Sequence, residues 1–552
     1  MLRLSSLKSS PLCRVTIGLT LAVSLLLSNV WPAANAADGD LDLSFGSGGA
    51  VTTDFFARRD EAVATALQTD GKILAAGVAQ TGDEFSTSDF AVARYNPNGS
   101  LDLSFGSGGK VVTDFFSGPD DARSIAIQAD GKIVLAGLVL RPQIGFNVGL
   151  VRYNTDGSLD PSFGVAGKVN TLVELGASAS ALAIQPDGRI LAAGTVNLAN
   201  GENDFLIARY NSDGNLDLSF GVGGVTKTDF FGINRRSFIN SLVLQPDGKI
   251  VAGGLAEKTS VPFSFDFAIT RYNSDGSLDS AFGTGGKVSV EFVADAMDQC
   301  EAVVLQSDGK IVAAGQVANE SLTVVDFALA RFNSDGSLDS TFGSGGKVTT
   351  DFFPGSFDVG LDAAIQPDGK IVVGGNFNSF LMAQAGQGLA RYITDGSLDT
   401  AFGVGGKATG SFGPGAQDCR AIALQPDGRI VCAGASFGFG FQQIDFFVAR
   451  YDGGGSEICV QDDSNGNLLQ FNSKTGDYKF SNCKKGFMLT GRGAVSIRFC
   501  KVELVDVQRD RNISLVANTC THIGTASVRD FSRNQTFTIS DGDIRNNTCS
   551  CR

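Results

Sequence analysis

The chain has 552 residues, and its 58 Asp and Glu outnumber 44 Lys and Arg to give a formal net charge of −14. That balance argues against nucleic acid and anionic membrane as partners, since no positive surface is available to displace phosphate counterions. A hydrophobic share of 43% excludes general disorder, and 70 Gly against 13 Pro without a G-X-Y period excludes collagen and disfavours a helical protein.

The first 36 residues read as a cleaved signal peptide. Arg3, Lys8 and Arg14 precede the apolar run "VTIGLTLAVSLLLSNVW", and "PAANAAD" supplies small residues for cleavage after Ala36. Cys13 precedes the apolar run, which speaks against a lipoprotein anchor. Cleavage removes three basic residues and the only Trp, Trp31, and moves the formal charge from −14 to −17. This reading places the chain outside the cytoplasm, secreted, at the cell surface or in the periplasm, with no membrane insertion after cleavage.

From Leu41 onward a unit written LDxxFGxxG returns at Leu101, Leu159, Leu216, Leu278, Leu338 and Leu398, a period of 57 to 62 residues. Repetition on that scale calls for an array architecture. Each period holds four apolar runs rich in Val, Ile, Ala and Phe, cut by PDG and SDG turns, which is the punctuation of short strands. We name these strands A, before "QPDG"; B, after it; C, ending in "ARYN"; and D, "KVTTDF". The first D strand, at 51 to 56, has no A, B and C before it. The last set, with A near 420–425, B at 429–434 and C at 445–451, has no D after it. Pairing these two deficits closes a ring and removes an exposed edge. The expected fold is all-β: a seven-bladed β-propeller over residues 40–455 closed by an N-terminal strand, followed by a small disulfide-rich β domain over 456–552.

The most repeated residues read as structure. In "Q-x-D-G-[KR]", Asp bonds its own following backbone and Gly takes the positive φ of a tight hairpin. An Arg ends every C strand, at Arg94, Arg152, Arg209, Arg271, Arg331, Arg391 and Arg450. The Asp of "LD" recurs at Asp42, Asp102, Asp160, Asp217, Asp279, Asp339 and Asp399. Within a complete unit the two lie eight positions apart, close enough for a guanidinium–carboxylate pair that pins the C–D loop. Asp42 and Arg450 lack a sequence neighbour and would meet only on closure. The rival is a ring of ligand-binding arginines. Loops such as "NSDGSLD" at 273–279 space oxygens as a calcium site would, and equally as an Asx turn, so no cofactor is assigned and calcium is the ion these loops suggest, with zinc a rival to disulfides only at the C-terminal cysteines.

The string "GSLDxxFGxGGKVxTDFF…DxAxxxALQPDGKIVxAG…DFALARYNxDG" resembles the delta-60 repeat family, a bacterial class found in large exported or surface-associated proteins. The resemblance covers about residues 40 to 455. It implies export and a propeller-like or β-rich array, and it brings no catalytic residues. Leu172 and Ser411 depart from the pattern where other copies carry the strand D carboxylate.

Antiparallel order puts the near-invariant A–B and C–D loops on one face and the variable B–C and D–A loops on the other. Variation on a rigid scaffold marks a recognition surface for a polysaccharide, peptide or protein. The candidate contacts there are Phe85, Arg141, Phe146, Arg235, Arg236, Phe263, Phe377, Phe380, Phe437 and Phe441, a mixture of aromatic surface and cations. Catalysis has weaker support. The single His, His522, lies outside the repeats, so the ring can hold neither a His-based triad nor a His-rich metal site. Carboxylates recur after strand D at Asp54, Asp114, Asp229, Glu291 and Asp351, and a hydrolase or lyase using paired carboxylates is the alternative. A mainly structural role is the third reading. In the C-terminal part Cys459, Cys483, Cys500, Cys520, Cys549 and Cys551 are candidates for up to three disulfides stapling a small core. In the repeats Cys419 and Cys432 sit near each other without being placed directly opposite, and Cys300 is the positional equivalent of Cys419.

Overall fold

The computed structural model describes residues 37–454, apart from 83–86, 233–234, 259–263, 320–322, 380–383, 411, 413–414 and 439–442, and beyond these the backbone of eight strands between 457 and 540. The segment read as a signal peptide lies outside the described residues. Every described element of regular structure is a strand.

The repeats form antiparallel sheets in the order A-B-C-D. The first complete unit has A at Asp60–Leu67, B at Ile73–Gln80, C at Ser88–Tyr95 and D at Lys110–Thr113. Two of the four-stranded sets are counted as one eight-stranded sheet because a single parallel bridge, Val325 with Phe357, joins them. The A strands that follow are Asp120–Ile127, Ala177–Ile184, Ser237–Leu244, Asp298–Leu305, Phe357–Ile365 and Ala421–Leu424. Each packs against the next, and the last packs against the first. The A strands therefore form the inner edge of a closed propeller, and the D strands its outer edge.

Closure is made by the N-terminal strand Ala50–Thr53, which pairs antiparallel with the last C strand, Ile444–Tyr451, in the register Ala50 to Ala449 through Thr53 to Phe446. The strand stops at Thr53, short of the 51–56 span read from sequence, because Asp54 begins a turn in which its Oδ1 accepts the Ala57 N–H. The preceding loop is tied in as well: Asp42 N–H donates to Arg450 O at 2.8 Å and Gly403 N–H to Asp38 O at 2.7 Å.

Because each sheet is covered on both faces, the B and C strands are almost wholly buried and read as continuous apolar runs. Each core cluster lies between two neighbouring units. The cluster at closure joins Phe45, Phe55, Ala62 and Ile73 to Val431, Phe446 and Val448. Gly46 shows why the "FG" pair recurs: its φ is +55°, and a Cβ there would meet Ala50 O at 2.3 Å.

Cys419 and Cys432 are buried, with their Sγ atoms in contact and Cα atoms 5.5 Å apart. Cys432 sits opposite Ile422 in the ladder, and Cys419 reaches it from the residues just before the A strand. Cys300 is buried and free. The C-terminal part is an eight-stranded antiparallel sheet from Glu457–Asp462 to Gln535–Ser540 in which each strand pairs with its sequence neighbour. Cys459 lies in its first strand; Cys483, Cys500, Cys520, Cys549 and Cys551 lie outside the described residues, and so does any pairing among them.

Two outcomes follow from closure and from this cysteine geometry. Arg450→Ala removes a buried guanidinium that ties the half-buried Asp42 carboxylate to the last C strand and is expected to cost about 1 to 3 kcal/mol in urea unfolding, against less than about 1 for exposed Arg141→Ala. A non-reducing peptide map of the folded chain is expected to contain the Cys419 and Cys432 peptides linked, with Cys300 alkylated only after denaturation.

Candidate functional site

The repeated arginines are fully committed within the propeller. Arg94 Nε donates to Asp102 Oδ2 at 2.8 Å, and the same 2.8 Å bond joins Arg152 to Asp160, Arg209 to Asp217, Arg271 to Asp279, Arg331 to Asp339 and Arg391 to Asp399. Arg450 to Asp42 measures 2.7 Å and completes the set. Each Asp also meets the cation of a Q-x-D-G-[KR] turn, as Lys72 Nζ meets Asp102 Oδ2 at 3.1 Å. Burial alone would raise the Asp102 carboxyl, but Ser104, Lys72 and Arg94 outweigh it and hold it below the usual carboxylate range. Each guanidinium covers the Phe of its own LDxxFG, as Arg94 does Phe105 at 4.4 Å. With every donor face engaged, a ring of ligand-binding arginines is not available here. The "NSDGSLD" oxygens are likewise engaged, since Asp275 Oδ1 accepts the Ser277 N–H and O–H at 2.9 and 2.6 Å, an Asx turn.

The variable face distributes the remaining candidates unevenly. Phe146 is 43% exposed, and Arg141 is exposed with its guanidinium 5.8 Å from the Phe116 ring. Arg236 is drawn to Glu257 at 3.2 Å and covers Phe265, while Arg235 and Phe437 are half-buried. Phe377 is not a surface contact: it is buried at 5% exposure, with its ring 5.1 Å from Phe353 and 6.2 Å from Phe352. The B strands run on past their AG or GG pair, here to Ser379, so the position read as loop falls within the ladder, opposite Gly386. Phe85, Phe263, Phe380 and Phe441 lie outside the described residues.

A cavity of about 520 Å³ opens where the first three units meet on this face. Its walls come from the starts of the A strands (Arg59, Glu61, Asp121, Arg123 and Ser178), the ends of the B strands (Gln80, Asn197) and the starts of the C strands (Ser88, Phe146). A β-bulge in the A strands builds much of it. The ladder skips one residue between Ala62 and Ala64 and again between Ala122 and Ser124, which leaves Val63 and Arg123 unpaired and lining the cavity. The same bulge sets out Ser180, Asn240, Glu301 and Leu361 in the following units, and Arg420 aligns with them in the last. These residues differ from unit to unit, as do those two positions before them: Glu61, Asp121, Ser178, Phe238, Gln299, Val359 and Asp418. Two residues at the bulge position reach the next unit: Asn240 Nδ2 donates to the bulge residue Glu301 Oε2 at 2.9 Å, and Arg420 Nη1 to Glu61 Oε2, two residues before the bulge, at 2.6 Å. Sequence reasoning missed these positions, because the A strands vary at several places and nothing local marks the bulge.

The strand D carboxylates gather at the seams between units. Asp54 joins Asp60 and Asp445, Asp114 joins Asp89 and Asp120, and Asp351 joins Asp326 and Asp358. Where an Asp stands at the start of an A strand it accepts a backbone N–H of the D–A loop: Phe55 to Asp60 at 2.6 Å, Phe115 to Asp120 at 2.8 Å and Phe352 to Asp358 at 2.6 Å. Gln417 takes that place in the last unit, accepting the Phe412 N–H at 2.7 Å. Burial pushes the Asp60, Asp120 and Asp298 carboxyls up to about 7, opposed by those N–H donors and reinforced by the neighbouring carboxylates.

The family model described as "Domain of unknown function (DUF5122) beta-propeller" matches residues 68–105, 128–163, 185–220, 245–282, 306–342 and 366–402. The chain carries repeats of the β-propeller kind. Each matched segment runs from the Gln of a Q-x-D-G turn to the Phe of the next LDxxF. No curated protein matches the chain in sequence. Similar solved structures include the polysaccharide lyase Uly1, at 10% identity and a TM-score of 0.39, covering 76% of this chain and 98% of that one. A PL25 ulvan lyase bound to a GlcA–Rha3S unit has 11% identity and a TM-score of 0.42, with 73% and 97% covered. A putative 6-phosphogluconolactonase from Bacteroides uniformis has 14% identity and a TM-score of 0.35, with 67% and 94% covered.

The seam carboxyls set a pH dependence. Unfolded, they ionise near the ordinary Asp value of about 3.9, whereas folded Asp60, Asp120 and Asp298 keep their protons to about 7. The folded state binds more protons in that window, so this contribution is complete below it and is lost as pH rises through it. Urea unfolding between pH 4 and 7 is expected to show stability falling as pH rises, with a shallower fall in Asp60→Asn.

Proposed function

We propose that the protein is an extracellular binding module in which seven four-stranded units, the last completed by the N-terminal strand, present the variable face to a polysaccharide. The observation that carries this reading is the cavity at the first three units, lined by an exposed aromatic ring and convergent polar side chains that differ from unit to unit. Exposed Phe146 offers a flat apolar surface. Gln80 and Asn197 supply amides, Asp121 and Glu61 supply acceptors, and Arg123 supplies a guanidinium exposed in the A strand. An apolar platform with convergent polar groups suits a chain of hydroxylated rings.

A carbohydrate-active hydrolase or lyase would need two carboxyls with separated acidities. In the cavity, burial acts to raise Glu61, but Arg420 and Arg59 outweigh it and hold the carboxyl below its ordinary value. A group kept ionised in this way accepts hydrogen bonds and does not serve as a general acid. Binding is the reading the geometry supports better.

The test is a glycan-binding screen of the folded chain, followed by titration with the best ligand. Arg123→Ala and Phe146→Ala are each expected to weaken binding by about tenfold or more, equivalent to about 1.4 kcal/mol, while Arg141→Ala leaves it unchanged. Equal affinity in all three variants would move the site away from this cavity.

A further inference from the structure

We propose that the seam between the last and first units binds a hard divalent cation of the calcium class through the carboxylates of Asp54, Asp60 and Asp445. The three residues come from three separate parts of the chain: Asp54 follows the N-terminal strand, Asp60 opens the first A strand, and Asp445 lies at the start of the last C strand. One carboxylate oxygen from each lies within 4.8 Å of the other two.

The second observation is Asp60 itself. It is fully buried, and while its Oδ2 accepts the Phe55 N–H and the Gln80 N–H lies near the carboxyl, its Oδ1 makes no hydrogen bond of ordinary geometry among the described residues. A buried carboxylate oxygen without a full hydrogen bond, beside two further carboxylates, calls for either a proton or a cation. The seam between the fourth and fifth units supplies a cation from the chain. There Asp266, Glu291 and Asp298 occupy the corresponding places, and Lys258 Nζ lies 3.5 Å from Asp266 Oδ2 and 3.1 Å from Glu291 Oε2. Lys258 follows its B strand directly, and in the last unit that place is held by Gly438, which has no side chain to offer. Lys110 approaches the closing seam but is engaged elsewhere, donating to Asp54 O at 2.9 Å and lying 5.4 Å from the Phe55 ring centroid.

Three carboxylates at one point suit a calcium ion, which takes six to eight oxygens and completes its shell with water. Exposed Asp54 leaves the seam open to solvent on one side. Without the ion, the seam relies on a proton at Asp60; with it, the ion would latch the N-terminal strand to both ends of the closure.

The test titrates the full chain at pH 8 with calcium alone, comparing wild type, Asp54→Asn, Asp445→Asn and the cavity control Asp121→Asn. Wild type and Asp121→Asn are expected to bind one more calcium per chain than the other two. If trypsin reaches Arg58 only when the seam opens, calcium at about ten times its Kd should slow that cleavage about tenfold in wild type and leave Asp54→Asn unchanged. Absence of calcium uptake by wild type would overturn the proposal, as would wild-type stoichiometry in Asp54→Asn and Asp445→Asn variants that keep their strand circular dichroism.

Discussion

One guanidinium at the end of each C strand organises the propeller. Its Nε holds the Asp of its own unit, its plane covers the Phe of the same LDxxFG, and its Nη1 donates to a backbone carbonyl of the next unit: Arg209 to Ser274 O, Arg331 to Thr394 O and Arg391 to Gly453 O. Arg450 donates to Pro97 O, so the chain of contacts returns to its start. Arg suits this position because its rigid fork satisfies separate acceptors at once, which a single ammonium group cannot do. A defect in one unit therefore reaches the next directly, and the Arg450–Asp42 pair is the link on which closure turns.

The same logic separates scaffold from site. A residue that performs the same contact in every unit is the same in every unit: Asp, Phe, Gly and Arg recur because the hairpin, the stacking and the inter-unit carbonyl recur. A residue with no shared task is free to differ. The A-strand bulges create such positions at the inner edge of the propeller, and the B–C and D–A connections create them on one face. The cavity lies where the two kinds of freedom meet, which is why its walls mix Arg123 and Val63 from bulges with Phe146 and Asn197 from strand ends.

Much of this was legible in the sequence because it is local or periodic. Four apolar runs per period, the unpaired "VTTDFF" and the missing last D strand are enough to call for closure by the N-terminus, and an Arg eight positions before an Asp is enough to call for a pinned loop. What was not legible is what breaks period two or joins distant parts of the chain. The bulges move Arg123 and Glu301 out of the alternation, so counting along the A strand mis-aims them. Phe377 looked like loop because the B strands continue past the glycine at which the apolar run breaks. The seam triad of Asp54, Asp60 and Asp445 spans nearly the whole propeller, and nothing in the spacing brings it together until the ring is closed.

Amide hydrogen exchange of the folded chain, read by peptide across residues 50–53 and 446–449, tests the closure most directly. Strands that pair in one ladder open together, so the account predicts the same slow exchange in both segments and a simultaneous loss in Arg450→Ala. Rapid exchange at 50–53 beside full protection at 446–449 would show that the last C strand finds its partner elsewhere, and would contradict it.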